Sequence, residues 1–171
     1  MNNRINGIVL HVAGQELLNR KNRKNEIMNK KIKEIIYLAG VVTDNYALLN
    51  LVEEGYPNVY CHHMTIKFGG IDELPEFIGA KFNFVSNAIY KDESAIAITG
   101  KIDNSQVREM MNKNNQHAHI TICTASGVKP VYSNVLIQTE EGEKFETRVP
   151  MIVGAFCVFE DGTKDWVYEN I

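Results

Sequence analysis

His62-His63-Met64-Thr65-Ile66-Lys67-Phe68-Gly69 and His119-Ile120-Thr121-Ile122 carry one short pattern twice: a histidine and a threonine two residues apart inside an apolar run. On a β-strand, side chains two apart share a face, so each His-x-Thr pair points one way. The two histidines His63 and His119 stand 56 residues apart. Two strands that present matched pairs across one cleft form the arrangement that paired acid–base work on a phosphodiester needs.

Around these motifs the chain reads as alternating strands and short helices. Ile35–Val42 is expected as a strand through the core, followed by a helix capped by Thr43, marked by Tyr46, Leu48, Leu49 and Val52, and ended by Gly55 and Pro57. Val59–Phe68 is the first motif strand, stopped by Gly69-Gly70, with a turn or short helix near Leu74–Ile78. Phe82–Tyr90 and Ser94–Ile102 read as a hairpin, Ser105–Met111 as one or two helical turns, and His117–Thr124 as the second motif strand. Residues 125–134 read as a Gly/Pro-bearing loop, with order resuming at Val135–Gln138. Phe145–Val149, Met151–Phe159 and Trp166–Tyr168 complete the strands. This order predicts an α+β domain with two sheet-centred lobes and a groove between them. A short strand is also expected at Gly7–Val12, before the polar, basic stretch Gln15–Lys33.

With 171 residues the chain has room for one domain with a sizeable core. No apolar run is long enough to span a bilayer, and the segment around Ile8-Val9-Leu10 makes a poor signal peptide. Cys61, Cys123 and Cys157 are odd in number and widely spaced, which fits a reducing, cytoplasmic setting with no disulfide framework. Residues 1–36 carry a net +5 and the rest −8, giving −3 overall. An acidic body argues against a protein that grips long nucleic acid by its backbone and leaves a small phosphate-containing ligand open.

Four of the five histidines, His62, His63, His117 and His119, fall in the two motif strands. An imidazole titrates near neutrality, so one ring accepts a proton while the other donates one. Thr65 and Thr121 stand beside them as donors to nonbridging phosphate oxygens. Regular alternation sends His62 to the opposite face and leaves His117 in phase with His119 at the strand mouth. Zinc held by the four imidazoles is the lesser alternative, because His62 and His63 face apart and no acid or cysteine completes a ligand pattern. No metal or cofactor is therefore expected. Cys61 and Cys123 share the phases of His63 and His119, so a thiol nucleophile stays open beside the plainer role of small buried hydrophobes. Lys129, in the loop after His119, is a candidate phosphate contact, and Trp166, the only tryptophan, lies in a polar stretch where its ring can stack on a base.

The two motifs, together with Gly127-Val128-Lys129-Pro130-Val131-Tyr132-Ser133-Asn134, resemble the two-histidine (2H) phosphoesterases, and most of all the branch that contains phage anti-CBASS phosphoesterases. The resemblance covers roughly residues 35–168, and divides the chain into a basic extension, 1–34, and a phosphoesterase-like domain, 35–171. It implies a bilobal fold, two antiparallel sheet-centred lobes with helices outside and a central cleft. It implies His63 and His119 as acid and base, Thr65 and Thr121 as phosphate-holding hydroxyls, and Tyr37, Glu160 and Trp166 as substrate contacts. The implied activity is metal-independent cleavage of 3′–5′ linkages in cyclic di- or oligonucleotide messengers, in the cytoplasm of a host if the chain is phage-encoded, where it would counter antiviral signalling. The partners so implied are a cyclic nucleotide, with no long nucleic acid and no membrane. A 2′,3′-cyclic phosphodiesterase acting on RNA ends or mononucleotides uses the same four residues. A non-catalytic sponge for cyclic nucleotides is the alternative of another class.

Overall fold

A computed structural model describes residues 30–169. The strand expected at Gly7–Val12 and most of the basic stretch Gln15–Lys33 lie outside the described residues. Among the described residues, nine strands and three short α-helices follow in the order β1 (Ile32–Val42), α1 (Tyr46–Leu49), β2 (Asn58–Val59), β3 (His63–Phe68), β4 (Lys81–Lys91), β5 (Ala95–Ile102), α2 (Ser105–Lys113), β6 (His119–Thr124), α3 (Ser133–Thr139), β7 (Glu143–Lys144), β8 (Arg148–Phe159) and β9 (Lys164–Val167). The fold is α+β: a large antiparallel sheet flanked by helices.

Its hydrogen-bonded order is β2-β6-β5-β4-β8-β1-β3, with β7 added on β4 and β9 on β8. Two segments each serve both halves of this order. The first half of β8 pairs with β4 (Phe84 with Val149) and the second half with β1 (Leu38 with Ala155). Residues 58–68 do likewise: β2 pairs with β6, and β3 pairs with β1. The ladder therefore has a β3-β1-β8-β9 half and a β2-β6-β5-β4 half, and the chain between β2 and β3 brings their free ends together.

That junction corrects the expectation of one unbroken strand over Val59–Phe68. The Tyr60 N–H donates to the Ile122 carbonyl (2.9 Å) and the Cys61 N–H to the Thr121 carbonyl (3.2 Å), both on β6. Cys61 then adopts φ +49°, a left-handed conformation rare outside glycine. Beyond it the chain leaves β6 and joins β1. The turn also takes Cys61 out of phase with His63 and buries it fully, its Sγ 3.4 Å from the Ile122 carbonyl.

Other elements follow local chemistry. Asn104 caps α2, its side chain accepting from the Val107 N–H (3.0 Å), and the four-residue spacing of Val107 and Met111 buries one helix face. The helix expected after Thr43 shrinks to the single turn α1: Thr43 does not cap it, since its N–H and hydroxyl both donate to the Pro150 carbonyl and prolong the strand contact, and past Leu49 the chain continues in turns (Leu51 N–H to the Leu48 carbonyl, Val52 N–H to the Leu49 carbonyl). The segment resuming at Val135 is helix α3, and the two strands expected over 145–159 merge into β8. One core gathers Leu38, Met64, Ile66, Phe84, Ile98, Ile120, Ile122 and Phe159, each fully buried and each worth about 1.5–3 kcal/mol. A smaller cluster sets Leu136 of α3 on Ala95 and Ala97 of β5.

Gly100 of β5 packs directly against β4. A Cβ there would lie 2.4 Å from the Val85 carbonyl oxygen and 2.6 Å from the Phe84 ring. Gly100→Ala is expected to destabilise the fold by about 1–3 kcal/mol in urea unfolding, because the obstructing atom is backbone and cannot step aside.

Candidate active site

Burial on β3 alternates as the sequence predicts, with Met64 and Ile66 in the core and His63 and Thr65 on the opposite face. On β6, Ile120 and Ile122 are buried while His119 and Thr121 face away. Cross-strand register then lays out the ground around His63 in rows. His63 stands beside Val41 of β1 and Ile152 of β8. In the next row Thr65 stands beside Ala39 and Gly154, two small residues that are both buried. Beyond it runs an aromatic row across four strands, Phe68, Tyr37, Phe156 and Trp166. The Tyr37 ring is 5.5 Å from His63, 5.4 Å from Phe156 and 5.5 Å from Trp166, and the Trp166 ring is 6.0 Å from His63. Gly154 makes room for this wall, since a Cβ there would meet Tyr168 at 2.8 Å and Trp166 at 3.1 Å.

The histidines differ in their partners. His119 Nδ1 is 2.9 Å from the His117 carbonyl, which can only accept, so Nδ1 carries the proton and Nε2 is left for other chemistry. His63 Nδ1 instead meets Nδ1 of His62, and the two rings stack with centroids 4.4 Å apart. This corrects the expectation that His62 points away. His62 sits at the bend after Cys61, ahead of the regular strand, where alternation does not yet apply. Burial, with the neighbouring His62 and His119 rings adding to it, pushes His63 down to about 4. Burial also lowers His119, partly offset by its bond to the His117 carbonyl, and it lowers His62. Burial thus favours the uncharged form of all three rings.

The threonines differ as well. Thr65 makes no side-chain hydrogen bond among the described residues. Thr121 Oγ1 lies 2.9 Å from Ser133 Oγ and donates a long bond (3.4 Å) to the Pro130 carbonyl. Ser133 is fully buried at the start of α3, a contact that motif reading missed although Ser133 belongs to the string after β6. The loop between β6 and α3 is fixed by Thr124 Oγ1 donating to the Val128 carbonyl (2.8 Å) and by the Tyr132 hydroxyl donating to Asp92 (2.7 Å).

The structure thus gathers His63, Thr65, Tyr37 and Trp166 on one face, and His119 is near enough for its charge to act on His63. Lys129 is exposed one residue before Pro130, whose carbonyl meets Thr121. Glu160 is not brought to this group. It lies past the end of β8 with its N–H on the Lys31 carbonyl, four residues or about 13 Å along the strand from Phe156. Cys61, Cys123 and Cys157 are all buried in the core, and burial raises each thiol, Cys61 and Cys157 to about 11. None is placed as a nucleophile. Among the described residues no group of three or more His, Cys, Asp or Glu is arranged to hold a metal ion, and no helix is long and apolar enough to cross a membrane.

A stability test follows from the lowered imidazoles. Above pH 6.5 His63 is neutral both folded and unfolded. Between pH 6.5 and about 4 the unfolded chain binds the proton that the folded one refuses, so stability falls as pH falls. His62 and His119 act in the same direction. Melting temperatures are expected to drop across this window, and His63→Gln to flatten the drop. An identical slope in the variant would show that the ring is not buried as described.

Residues 54–155 match the family described as the fungal tRNA ligase phosphodiesterase domain. No curated protein and no solved structure gives a significant match. The matched stretch is 102 of 171 residues and contains both His-x-Thr strands and Ser133, while Tyr37 and Trp166 lie to either side of it. The branch is that of the tRNA ligase domains, where the sequence had pointed to the phage one. With both motif strands inside the match, the chain belongs to the fungal tRNA ligase phosphodiesterase domain family, within the 2H phosphoesterases.

Proposed function

We propose that this protein is a phosphodiesterase that opens 2′,3′-cyclic phosphates at RNA ends, with His63 and His119 as its acid–base pair. The observation that carries the reading is the pairing of two His-x-Thr strands, joined through the Cys61 turn, in a chain of the tRNA ligase phosphodiesterase family. The two halves of the ladder act as the two lobes, within a domain spanning residues 35–171, and the cyclic phosphate sits between β3 and β6. Tyr37 and Trp166 flank the base of the terminal nucleotide, and Lys129 approaches the phosphate from the Thr121 side.

The unlike surroundings of the histidines assign the steps. His63, held neutral, takes a proton from the attacking water through Nε2 while its Nδ1–H donates to His62. His119, once the phosphate's negative charge has favoured its protonated form, gives the Nε2 proton to the departing ribose oxygen. One P–O bond forms, one breaks, and the net change is addition of water across the ring. Thr65 and Thr121 donate to the nonbridging oxygens. Ser133 donates to Thr121 Oγ1, which frees the threonine proton to leave the long bond to Pro130 for the phosphate.

A second reading, cleavage of cyclic oligonucleotide messengers and with it a role against antiviral signalling, draws on the −8 charge of residues 37–171, which suits a compact ligand better than a long one. The same residues would act, with a ribose 2′-hydroxyl in place of water.

Chromatography of products from a cyclic-phosphate-ended oligonucleotide and from cyclic di- and trinucleotides separates the two. Opening of the cyclic end is expected to be faster and to persist in EDTA. Faster loss of the intact rings would favour the second reading, and zinc-restorable loss in EDTA would overturn the His–His mechanism. His63→Ala and His119→Ala are each expected to cost roughly 10²–10⁴-fold in rate, and Thr65→Ala or Thr121→Ala roughly 10²–10³-fold. Binding without turnover would indicate the sponge.

The profile of kcat/KM against pH is expected to be bell-shaped, with its acidic limb near the His63 value of about 4 and its maximum below pH 6.5. Ser133→Ala is expected to lower kcat by about tenfold with little change in KM, as an interaction made in the transition state. An equal change in KM would make Ser133 a ground-state contact.

A further inference from the structure

Regular alternation along β3 would put Phe68 with Met64 and Ile66 in the core. The register says otherwise. Leu38 faces Lys67, but its neighbour Ala39 faces Thr65, so Ile66 is an extra residue, a β-bulge. The bulge shifts the phase of everything after it and lays Phe68 opposite Tyr37, on the face that carries His63 and Thr65. There the Phe68 ring stacks on Tyr37 at 13° and 6.2 Å, and the residue is 71% exposed. A large aromatic ring is thus lifted out of the core phase, held flat by a neighbour and left open on its outer side.

We infer that Phe68 is a second nucleobase subsite, one that takes the base of the nucleotide next to the one bearing the scissile phosphate. The inference rests on the phosphodiesterase reading and extends it to the length of the substrate. The occupant follows from position. Trp166 and Tyr37, at 6.0 and 5.5 Å from the His63 ring, are within reach of the base whose own ribose carries the phosphate. Phe68 is one ring farther out in the same row, so the base that reaches it belongs to the adjoining nucleotide. Stacking on a flat ring tolerates any base, which fits a site that contacts the face of the base and not its edge. The substrate class is therefore single-stranded oligonucleotide of two or more residues, bound with its cyclic end at His63 and His119 and its next base over Phe68.

The test is calorimetric binding in the His63→Ala/His119→Ala full-length background, which holds substrate without turnover. The ligands are a trinucleotide with a 2′,3′-cyclic end and the matching cyclic mononucleotide. Phe68→Ala is expected to weaken the trinucleotide about tenfold more than the mononucleotide, and Phe68→Trp to restore the difference. An equal effect on both ligands, no effect, or no oligonucleotide binding at all would overturn the proposal. So would a lowered melting temperature with the preference intact, which would mean that Phe68 packs on protein, whether elsewhere in this chain or in a second copy. Turnover by the unmutated protein is measured in parallel. A Phe68-dependent preference without turnover would sink the phosphodiesterase reading and keep the subsite. Turnover without that preference would sink the subsite alone.

Discussion

Cys61 adopts a left-handed backbone, and the geometry around the two motifs depends on that turn. An L-residue there gives up about 1–2 kcal/mol relative to an ordinary conformation. Two backbone hydrogen bonds to β6 just before the turn, the Val42 N–H to the His62 carbonyl just after it, and full burial of the thiol offset the cost. Each such bond contributes about 0.5–1.5 kcal/mol net. Without the turn the segment would continue along β6, and β1 would lose its outer neighbour. With it, one eleven-residue stretch belongs to both halves of the ladder, and the second histidine after the turn is drawn to the strand that carries the other.

The same turn accounts for what the sequence showed and what it hid. Side-chain period is a local property, so the pairing of His63 with Thr65 and of His119 with Thr121 on the faces opposite the core could be read from spacing alone. Strands were recognisable for the same reason, through apolar runs bounded by Gly, Pro and Asn. Phase is lost wherever the backbone adds a residue or changes hand, and neither event leaves a reliable mark in the sequence. Cys61 is not glycine, so its positive φ gave no sign, and His62 and Cys61 were both assigned the wrong direction. Ile66 looks like any core residue, yet as a bulge it re-aims Phe68. Tyr37 was singled out by resemblance, and Trp166 also as the only tryptophan in a polar stretch, but their alignment with Phe156 is a matter of register between strands far apart in sequence, which composition does not encode.

Small residues matter as much as the aromatic ones. Ala39 and Gly154 lie side by side on β1 and β8, level with Thr65. Both are buried, and the Tyr168 and Trp166 rings lie over Gly154, where a Cβ would collide with them. The aromatic wall is thus seated on the sheet by the omission of a side chain beneath it.

Two copies of one sequence pattern do not give two equivalent sites. His119 follows a strand mouth whose backbone supplies a carbonyl, and a carbonyl stabilises a ring that carries a proton on both nitrogens. His63 follows a bend that supplies another imidazole, a partner that repels a second positive charge. The difference originates in the residues before each motif, Cys61-His62 in one case and His117-Ala118 in the other, and not in the motifs themselves. In the proposed acid–base pair that inequality would decide which ring stays unprotonated and which takes up the proton. In this fold the inequality comes from the short segments that lead into β3 and β6, and His-x-Thr is free to repeat.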